Sequence, residues 1–256
     1  MANPGFDARG DASRPWQSLS TGFERARARE DSLDRLVEWP AERGMLGDVT
    51  GLTVLDAGCG NGSKLAQLAS EGAAQAVGVD ISGSFIAAGP SVELIQADLS
   101  DLSVVPGLET RRFDRILFLQ SFGYAKDPLH ALRVARDMLT DDGFILLTRT
   151  QPVRYAIERA EQNGTTIGEE YFSTKRFSYQ HRNWDDQVTL TKVPYTMSDL
   201  LNTFSDAGLW IERTVEPYMS AEAAERFPEK YARVSKNFVG IIMFKLRPLA
   251  RPDACS

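Results

Sequence analysis

The stretch Val54-Leu-Asp-Ala-Gly-Cys-Gly-Asn-Gly62 places three glycines and an acid directly after a short apolar run. A strand that ends near Asp56, followed by glycines and then a helix, lets a ligand approach the backbone closely and meet the positive end of the helix. This loop predicts a nucleotide-containing ligand, and the identity of that ligand decides the function.

Short apolar runs alternate with helix-like segments after this loop, which predicts a parallel sheet. The predicted strands are Thr53–Leu55, Ala76–Val79, Val92–Ile95, Arg115–Leu119 and Phe144–Thr148, and the predicted helices are Ser63–Ser70, Ser84–Ala88 and Pro128–Leu139. A turn at Asp141-Asp142-Gly143 is expected to lead into the fifth strand. Because each run is apolar on both faces, crossover helices must cover both sides of the sheet.

The segments on either side of this core have different patterns. We expect an amphipathic helix at Phe23–Trp39, a lid or hairpin at Gly164–Pro194, a helix at Met197–Ala207, and strands at Leu209–Val215 and Phe238–Leu246. The predicted fold is a single α/β domain with a Rossmann-like, doubly wound, mostly parallel seven-stranded sheet. Its parts are an N-terminal helical cap (1–50), a cofactor-binding core (51–150), an inserted lid (151–195) and a C-terminal helix with two strands (196–247).

The composition limits the class of protein. With 256 residues, 43% of them hydrophobic, the chain can bury a substantial core, and its net charge of -6 argues against nucleic acid as a partner. Two cysteines imply no disulfide framework, which favours a reducing compartment, and we expect the cytoplasm. The start of the sequence lacks the pattern of a secretory signal, and the apolar run Phe238–Phe244 is far short of the roughly 20 residues that cross a bilayer.

Two common glycine-rich motifs fit the loop poorly. The dinucleotide fingerprint G-x-G-x-x-G/A requires glycine or alanine where Ser63 stands. The phosphate loop G-x-x-x-x-G-K-[ST] fails because Lys64 is displaced and no glycine lies five positions before Gly62. A ligand without phosphate is therefore favoured, and a nicotinamide oxidoreductase is the weaker alternative.

The remaining pattern is D-x-G-x-G-x-G from Asp56, with Asp80 at the end of the second predicted strand and Asp98 at the end of the third. This arrangement resembles the class I S-adenosylmethionine-dependent methyltransferases, in their small-molecule branch. The resemblance extends over Leu52–Arg149 and returns at Asp206-Ala207-Gly208-Leu209, which is similar to a turn near the end of that family's domain.

The resemblance implies that S-adenosylmethionine is the cofactor. Asp56 and the backbone at Gly58 and Gly60 would hold its amino acid end, Asp80 its ribose, and Asp98 its adenine amine. The full set of residues that the resemblance assigns to the cofactor is Asp56, Gly58, Gly60, Gly62, Asp80, Ile81, Asp98, Leu99 and Gln120.

The acceptor side of the site is predicted from residue chemistry and from the resemblance. His181, in the predicted lid, has a side chain that can take a proton near neutral pH, and Tyr124 stands where many relatives carry a histidine that faces the methyl group. Aromatic residues expected to contact the substrate are Trp16, Tyr171, Trp184 and Tyr195. We expect no metal, because the acids of the lid have no histidine or cysteine at ligand spacing.

These observations predict methyl transfer to a small-molecule acceptor, with O-methylation ahead of N- or C-methylation. A lid that encloses the site favours a small acceptor, and neither nucleic acid nor membrane is expected as a partner. A homodimer is one candidate assembly. The alternatives left open are a protein that binds S-adenosylmethionine but performs non-methylating chemistry, and one without catalysis.

Overall fold

The computed structural model describes residues 22–85, 89–175, 177–180, 189–192, 194–235 and 240–249. The strands of its main sheet are β1 (Thr53–Ala57), β2 (Gln75–Asp80), β3 (Val92–Gln96), β4 (Phe113–Leu119), β5 (Leu139–Thr150), β8 (Leu209–Val215) and β9 (Ile241–Pro248). Their order is β3-β2-β1-β4-β5-β9-β8. The strands β1 to β5 pair in parallel, and β9 runs antiparallel to both of its neighbours. The predicted seven-stranded, mostly parallel Rossmann-like fold is confirmed.

Helices cover both faces of this sheet because successive residues of a buried strand point to opposite sides. The helices that pack on it include α2 (Trp39–Leu46) and α3 (Ser63–Ser70) on one face, and α4 (Pro128–Asp137) and α7 (Met197–Asp206) on the other. In β1, Val54 packs with the α2 and α3 side chains, whereas Leu55 packs in the cluster that includes Leu132 of α4 and Phe204 of α7. Both core layers therefore meet at the strand that leads into the glycine loop.

The strand order creates a crevice beside β1. The chain passes from β1 outward to β2 and β3, then returns to place β4 and β5 on the opposite side of β1. In open α/β sheets of this kind, ligands bind outside the carboxyl ends of the strands where the winding reverses. The crevice therefore lies beside Asp56 near the end of β1, Asp80 at the end of β2 and Gln120 directly after β4.

The predicted helix at Phe23–Trp39 is wrong as one continuous element. Helix α1 covers 22–28, and a second helical segment passes through a π-helical turn at Asp34–Glu38 into α2. Ser32 separates the two, because its Oγ donates to the Arg27 carbonyl (2.7 Å) and accepts from the Arg35 amide (3.2 Å). Pro40 has no amide hydrogen to donate in the usual helical pattern, which accounts for the irregular turn before it.

Two other local predictions are corrected. Ser84 and Phe85 are not helical, and the rest of the predicted helix Ser84–Ala88 lies outside the described residues. Here the Ser84 amide bonds to the Ser82 hydroxyl, a local contact that competes with helix formation. Asp141-Asp142-Gly143 is not the turn before the fifth strand, because β5 already begins at Leu139 and these residues form an irregular stretch within it.

The segment between β5 and α7 contains more structure than its sequence suggested. It begins with α5 (Pro152–Asn163) and α6 (Ile167–Tyr171) and continues as a hairpin of β6 (Phe177–Gln180) and β7 (Thr189–Lys192). The hairpin is as predicted, but both helices were missed although Pro152 and Gly164 mark the ends of α5. Two further missed helices, α8 (Ala221–Arg226) and α9 (Pro228–Ser235), lie between β8 and β9.

The described helices include none that is long and apolar enough to span a membrane.

The contact between α3 and β2 can be tested with two alanine substitutions. A Cβ at Gly78 of β2 would lie 2.6 Å from Cys59 Sγ and 2.7 Å from both Leu65 Cδ1 and Leu94 Cδ2, whereas a Cβ at Gly44 of α2 would meet nothing within 4 Å. We expect Gly78→Ala to lower the free energy of unfolding by about 1–3 kcal/mol through overpacking. Gly44→Ala should raise it by about 0.5–1 kcal/mol, since alanine is the better helix former. Urea denaturation measures both changes, and equal effects of the two substitutions would contradict the close packing at Gly78.

Candidate functional site

The glycine loop is shaped by a close approach to the turn after β4. Gly58 has a φ of +92°, and a Cβ on it would lie 2.2 Å from Cβ of Ser121. Ser121 also donates a hydrogen bond from its hydroxyl to the Ala57 carbonyl. Only glycine combines this backbone conformation with this contact. The loop is thus held against the start of the β4 turn, and Gly62 follows as the residue that precedes α3.

Asp80 holds the other side of the glycine loop. Its Oδ2 accepts a hydrogen bond from the Gly60 amide (2.8 Å), and its Oδ1 accepts one from the Ser82 amide (2.9 Å). A carboxylate has about four acceptor positions, so Asp80 can accept further hydrogen bonds from a diol while it supports the loop. Asp80, which is predicted to bind the ribose of S-adenosylmethionine, therefore also supports the loop that would bind the amino acid end of that molecule.

The residues predicted to hold adenine lie at the ends of β2 and β3. Asp98 accepts a hydrogen bond from the Ser100 amide (2.8 Å) and pairs with Lys126 Nζ (2.7 Å). Leu99 is buried in the core, where its Cδ2 would be 3.3 Å from a Cβ on Gly58, so it also packs beneath the glycine loop. Ile81 is partly buried and follows Asp80 directly, with its carbonyl bonded to the Gln96 side chain (3.1 Å).

Gln120 has an unusual backbone conformation at the end of β4. Its φ is +63°, and no other described residue apart from glycine has a positive φ. The Gln120 amide donates to the Thr148 carbonyl (3.0 Å), while its side-chain Nε2 donates to Glu38 Oε2 (3.2 Å). Backbone strain of this kind costs of order 1–3 kcal/mol and clusters at functional sites. The strand end thus directs the Gln120 side chain toward the N-terminal helices.

Asp56 is a buried acid with an incomplete set of partners. Its side chain lies at the end of β1, and its Oδ1 has no hydrogen-bond partner among the described residues. Burial raises the pKa of Asp56 to about 7, although the nearby charge of Lys64 opposes the change. An unpaired buried carboxylate is costly, so a cation placed here would be strongly stabilised.

An ionic network links Asp56 to the N-terminal helices. Lys64 Nζ lies 2.7 Å from Glu42 Oε2 and 3.0 Å from Asp34 Oδ1, and Arg27 pairs with Asp34 (2.7 Å). The second oxygen of the Glu42 carboxylate, Oε1, is buried and has no partner in the described part of the chain. Two cations therefore share a larger number of acids.

The remaining acids of this network have raised pKa values. Burial, together with the charges of Glu42 and Asp34, raises the pKa of Glu38 to about 7, and burial also raises the pKa of Glu24. Among the described residues, this network contains two cations, Arg27 and Lys64, and six carboxylates. The carboxylates are Glu24, Asp34, Glu38, Glu42, Asp56 and Asp80. Its excess negative charge fits a cationic ligand.

Sequence reasoning missed the part of this network that the N-terminal helices supply. The available signal was the spacing of Asp34, Glu38 and Glu42, which are four residues apart and so share one face of a helix. The predicted amphipathic helix at Phe23–Trp39 carried no functional assignment for Asp34 and Glu38, and Glu42 lies beyond it. The structure places Asp34 and Glu42 beside Lys64 and places Glu38 beside Gln120. Glu24 approaches the glycine loop itself, since its Oε1 would lie 3.1 Å from a Cβ on Gly60.

Three residues predicted for the acceptor side are described by the structure. Tyr124 is partly buried in the 3-10 turn after β4, on the same turn as Ser121. Tyr195 donates a hydrogen bond from its hydroxyl to the Thr150 carbonyl (3.1 Å), at the end of β5. Tyr171 accepts one from the Met197 amide (2.9 Å), at the start of α7. Trp16, His181 and Trp184 lie outside the described residues.

The unpaired carboxylate oxygens of this site suit the ammonium group of S-adenosylmethionine. Histidine, cysteine and carboxylate side chains of the described residues form no group of three or more that could hold a metal ion. Asp56 Oδ1 and Glu42 Oε1 are buried acceptors that lack donors among the described residues, and an ammonium group could supply such donors. The absence of a side chain at Gly58 lets the backbone of the glycine loop pack directly against Ser121 and Leu99.

Comparison with known proteins gives both sequence and structural relatives. A family model described as "Methyltransferase domain" matches residues 22–209. A tRNA U34 carboxymethyltransferase from Aeromonas hydrophila is 30% identical over 117 residues, which are 43% of this chain and 36% of that protein. The aligned region thus covers about a third of that relative.

Two solved structures have the same fold. An S-adenosylmethionine dependent methyltransferase from Mesorhizobium loti has a TM-score of 0.62 at 21% identity, covering 82% of this chain and 97% of that one. A magnesium protoporphyrin IX methyltransferase from Synechocystis PCC 6803, solved with bound SAH (S-adenosylhomocysteine), has a TM-score of 0.56 at 17% identity, covering 93% and 99%.

The family match spans well over half of the chain and includes the glycine loop, the three strand-end acids and the acidic N-terminal helices. The predictions of an enzyme and of S-adenosylmethionine as its cofactor are confirmed with it. This protein belongs to the methyltransferase domain family and is an S-adenosylmethionine-dependent enzyme.

Proposed function

We propose that this enzyme methylates a small-molecule acceptor, with oxygen as the first candidate for the accepting atom. The observation that carries the proposal is the position of the segment between β5 and α7. Tyr195, at the end of that segment, donates a hydrogen bond to the carbonyl of the last residue of β5. The hydroxyl of Tyr171 accepts a hydrogen bond from the amide of the first residue of α7. The segment therefore lies beside the carboxyl edge of the sheet, where it would narrow access to the site and favour a small acceptor.

The residues proposed to hold the cofactor follow the order of the strands. Asp56 and Glu42 would accept hydrogen bonds from its ammonium group, with Gln120 beside them, and the backbone of Gly58 and Gly60 would line its amino acid end. Further along the edge, Asp80 would accept hydrogen bonds from the ribose hydroxyls. The adenine would then lie near Ile81, Asp98 and Leu99 at the ends of β2 and β3.

The cofactor supplies a methyl group activated by a positively charged sulfur. Because this is a good leaving group, the protein contributes chiefly by holding the acceptor in line and by excluding water. An acceptor hydroxyl must also lose its proton. We propose His181 as the group that takes this proton, with Tyr124 positioned on the β4 turn to contact the acceptor.

Transfer to tRNA is the second candidate function, since the Aeromonas relative acts on tRNA by name. The net charge of -6 favours a small acceptor over a polyanion. We also propose a cytoplasmic location, in keeping with the free, buried thiol of Cys59.

Methyl transfer from labelled S-adenosylmethionine distinguishes the two candidates. We expect label in a fraction of small cellular metabolites and none in total tRNA. Label in tRNA alone would contradict the proposal. Cofactor binding without label in either fraction would indicate non-methylating chemistry or a protein without catalysis.

Removal of the Asp80 carboxylate tests the ribose contact. We expect Asp80→Ala to weaken SAH binding by about 10- to 100-fold, because a hydrogen bond to a charged group contributes roughly 1.5–3 kcal/mol. Asp48→Ala is a matched control, since Asp48 also accepts from a backbone amide (Thr50, 2.9 Å) but precedes β1 at the other edge of the sheet. Isothermal titration measures both affinities. An unchanged Kd for Asp80→Ala would refute its ribose role.

The raised pKa values of Asp56 and Glu38 predict a pH dependence of cofactor binding. In the free protein these acids retain a proton up to about pH 7, and the ammonium group of SAH is bound best when they are ionised. Affinity for SAH should therefore increase, on the order of tenfold, between pH 5.5 and 7. The free protein should lose stability as the pH rises over the same range. The reason is that the folded state still holds protons on these acids, whereas the unfolded state has already released them.

Asp56→Asn is the control for this dependence. It preserves the shape of the side chain without its charge, so it should bind SAH more weakly and with a flatter pH profile. Calorimetry at several pH values measures this. A wild-type affinity that stays constant from pH 5.5 to 7 would contradict the ionisation of these acids on binding.

A further inference from the structure

Arg149 is a buried cation that has no counter-charge among the described residues. It is the residue before the end of β5, with only 8% of its surface exposed. Within the described residues it makes no hydrogen bond from its guanidinium and has no ion-pair partner. By contrast, the similarly buried Arg159 pairs with Glu170 (2.9 Å). An unpaired buried charge is strongly destabilising, so this position favours an anionic ligand.

Aromatic rings hold the Arg149 guanidinium in one place. Its Cζ lies 3.6 Å from the centre of the Tyr195 ring and 5.4 Å from that of Phe122. Its Nη2 would be 3.1 Å from a Cβ on Gly123, so that glycine makes room for the group. Whereas Nη1 of Arg159 is fully enclosed, the guanidinium nitrogens of Arg149 are not, and they can donate to a ligand. The group is thus both fixed and available.

The position of Arg149 relates it to the methyl acceptor. Gly58 contacts Ser121, and Phe122 and Gly123 of the same turn contact Arg149. The Gln120 amide bonds to the Thr148 carbonyl, one residue before Arg149. Arg149 therefore lies on the β5 side of the glycine loop, whereas Asp80 and Asp98 lie on the β2 and β3 side. If the cofactor occupies the β1 to β3 side as proposed above, the acceptor lies next to Arg149.

We propose that Arg149 binds a carboxylate carried by the acceptor substrate and so selects small carboxylic acids. A guanidinium presents two parallel donors that match the two oxygens of a carboxylate. A single cation suits a singly charged group better than a phosphate dianion. The partly exposed ring of Tyr195 provides apolar contact for the rest of such a molecule. The carboxylate is an anchor in this proposal, and the methyl group goes to another atom of the acceptor.

Binding of simple probes to the SAH complex tests this inference, which rests on the proposed function. The probes are benzoate and its neutral counterpart benzamide, titrated by ligand-observed NMR. We expect benzoate to bind at least tenfold more tightly than benzamide to the wild-type complex. Arg149→Gln should abolish that preference while SAH affinity stays within about twofold.

Two other variants complete the design. Arg115→Gln is the matched control, because Arg115 also stacks on a ring (Phe144, 4.2 Å) but lies near the start of β4, toward the opposite edge of the sheet. It should leave the benzoate preference intact. Arg149→Lys keeps the positive charge but lacks the two parallel donors of a guanidinium, so it should lose about three- to tenfold in benzoate affinity. This variant tests the inference if Arg149→Gln fails to fold.

The outcomes separate this inference from the proposed function. No preference for benzoate in the wild-type complex, or a preference that survives both Arg149 variants, would overturn the role of Arg149. Failure of the wild-type protein to bind SAH would instead remove the proposed function. Transfer of label to carboxylic acids, and not to their amides, would support both.

Discussion

Excess negative charge at the carboxyl edge of the sheet is the constraint on which this site depends. The N-terminal helices and the ends of β1 and β2 bring acids to one region, where Lys64 and Arg27 neutralise only some of them. Burial keeps Asp56 in equilibrium with its protonated form near pH 7. The folded protein therefore stores an electrostatic cost that a cationic ligand relieves. In the proposed complex, relief of that cost adds to the affinity for the methyl donor.

The strand order divides this edge into two parts with different chemistry. On the β1 to β3 side, backbone amides and carboxylates converge, which suits the hydrogen-bonding groups of a nucleoside and an amino acid. On the β4 and β5 side, the 3-10 turn and Tyr195 surround a guanidinium instead. The strained backbone of Gln120 lies at the boundary between them. Because both parts are built on strand ends of one sheet, donor and acceptor can be held at a fixed separation without moving domains.

The sequence predicted the parts of the fold that depend on short-range patterns. Strands such as β1 are apolar on both faces, and the glycines of the loop need backbone conformations that other residues avoid, so periodicity and composition reveal both. The break after α1 was missed because it depends on one serine hydroxyl and one proline within a helical pattern. The irregular start of β5 depends on pairing with Phe113, which lies far away in sequence.

The site was predicted less completely than the fold. The acids at strand ends could be located because the strands themselves are recognisable in the sequence. The hydrogen bond between Asp80 and Gly60, by contrast, is visible only in the structure. The roles of Glu38, Glu42 and Arg149 arise from burial and from partners that are absent or distant in sequence. A single charged residue in a strand pattern does not reveal whether its partner is in the protein or in a ligand.

The titration of Asp56 itself is the most direct test of this electrostatic constraint. Carbon-13 NMR of the Asp56 carboxyl, assigned with Asp56→Asn, gives its pKa in the free protein and in the SAH complex. We expect a value near 7 in the free protein and a clear fall on binding. A free-protein value in the ordinary range for aspartate, about 4, and no change with SAH would contradict the claim that buried acid binds the cofactor.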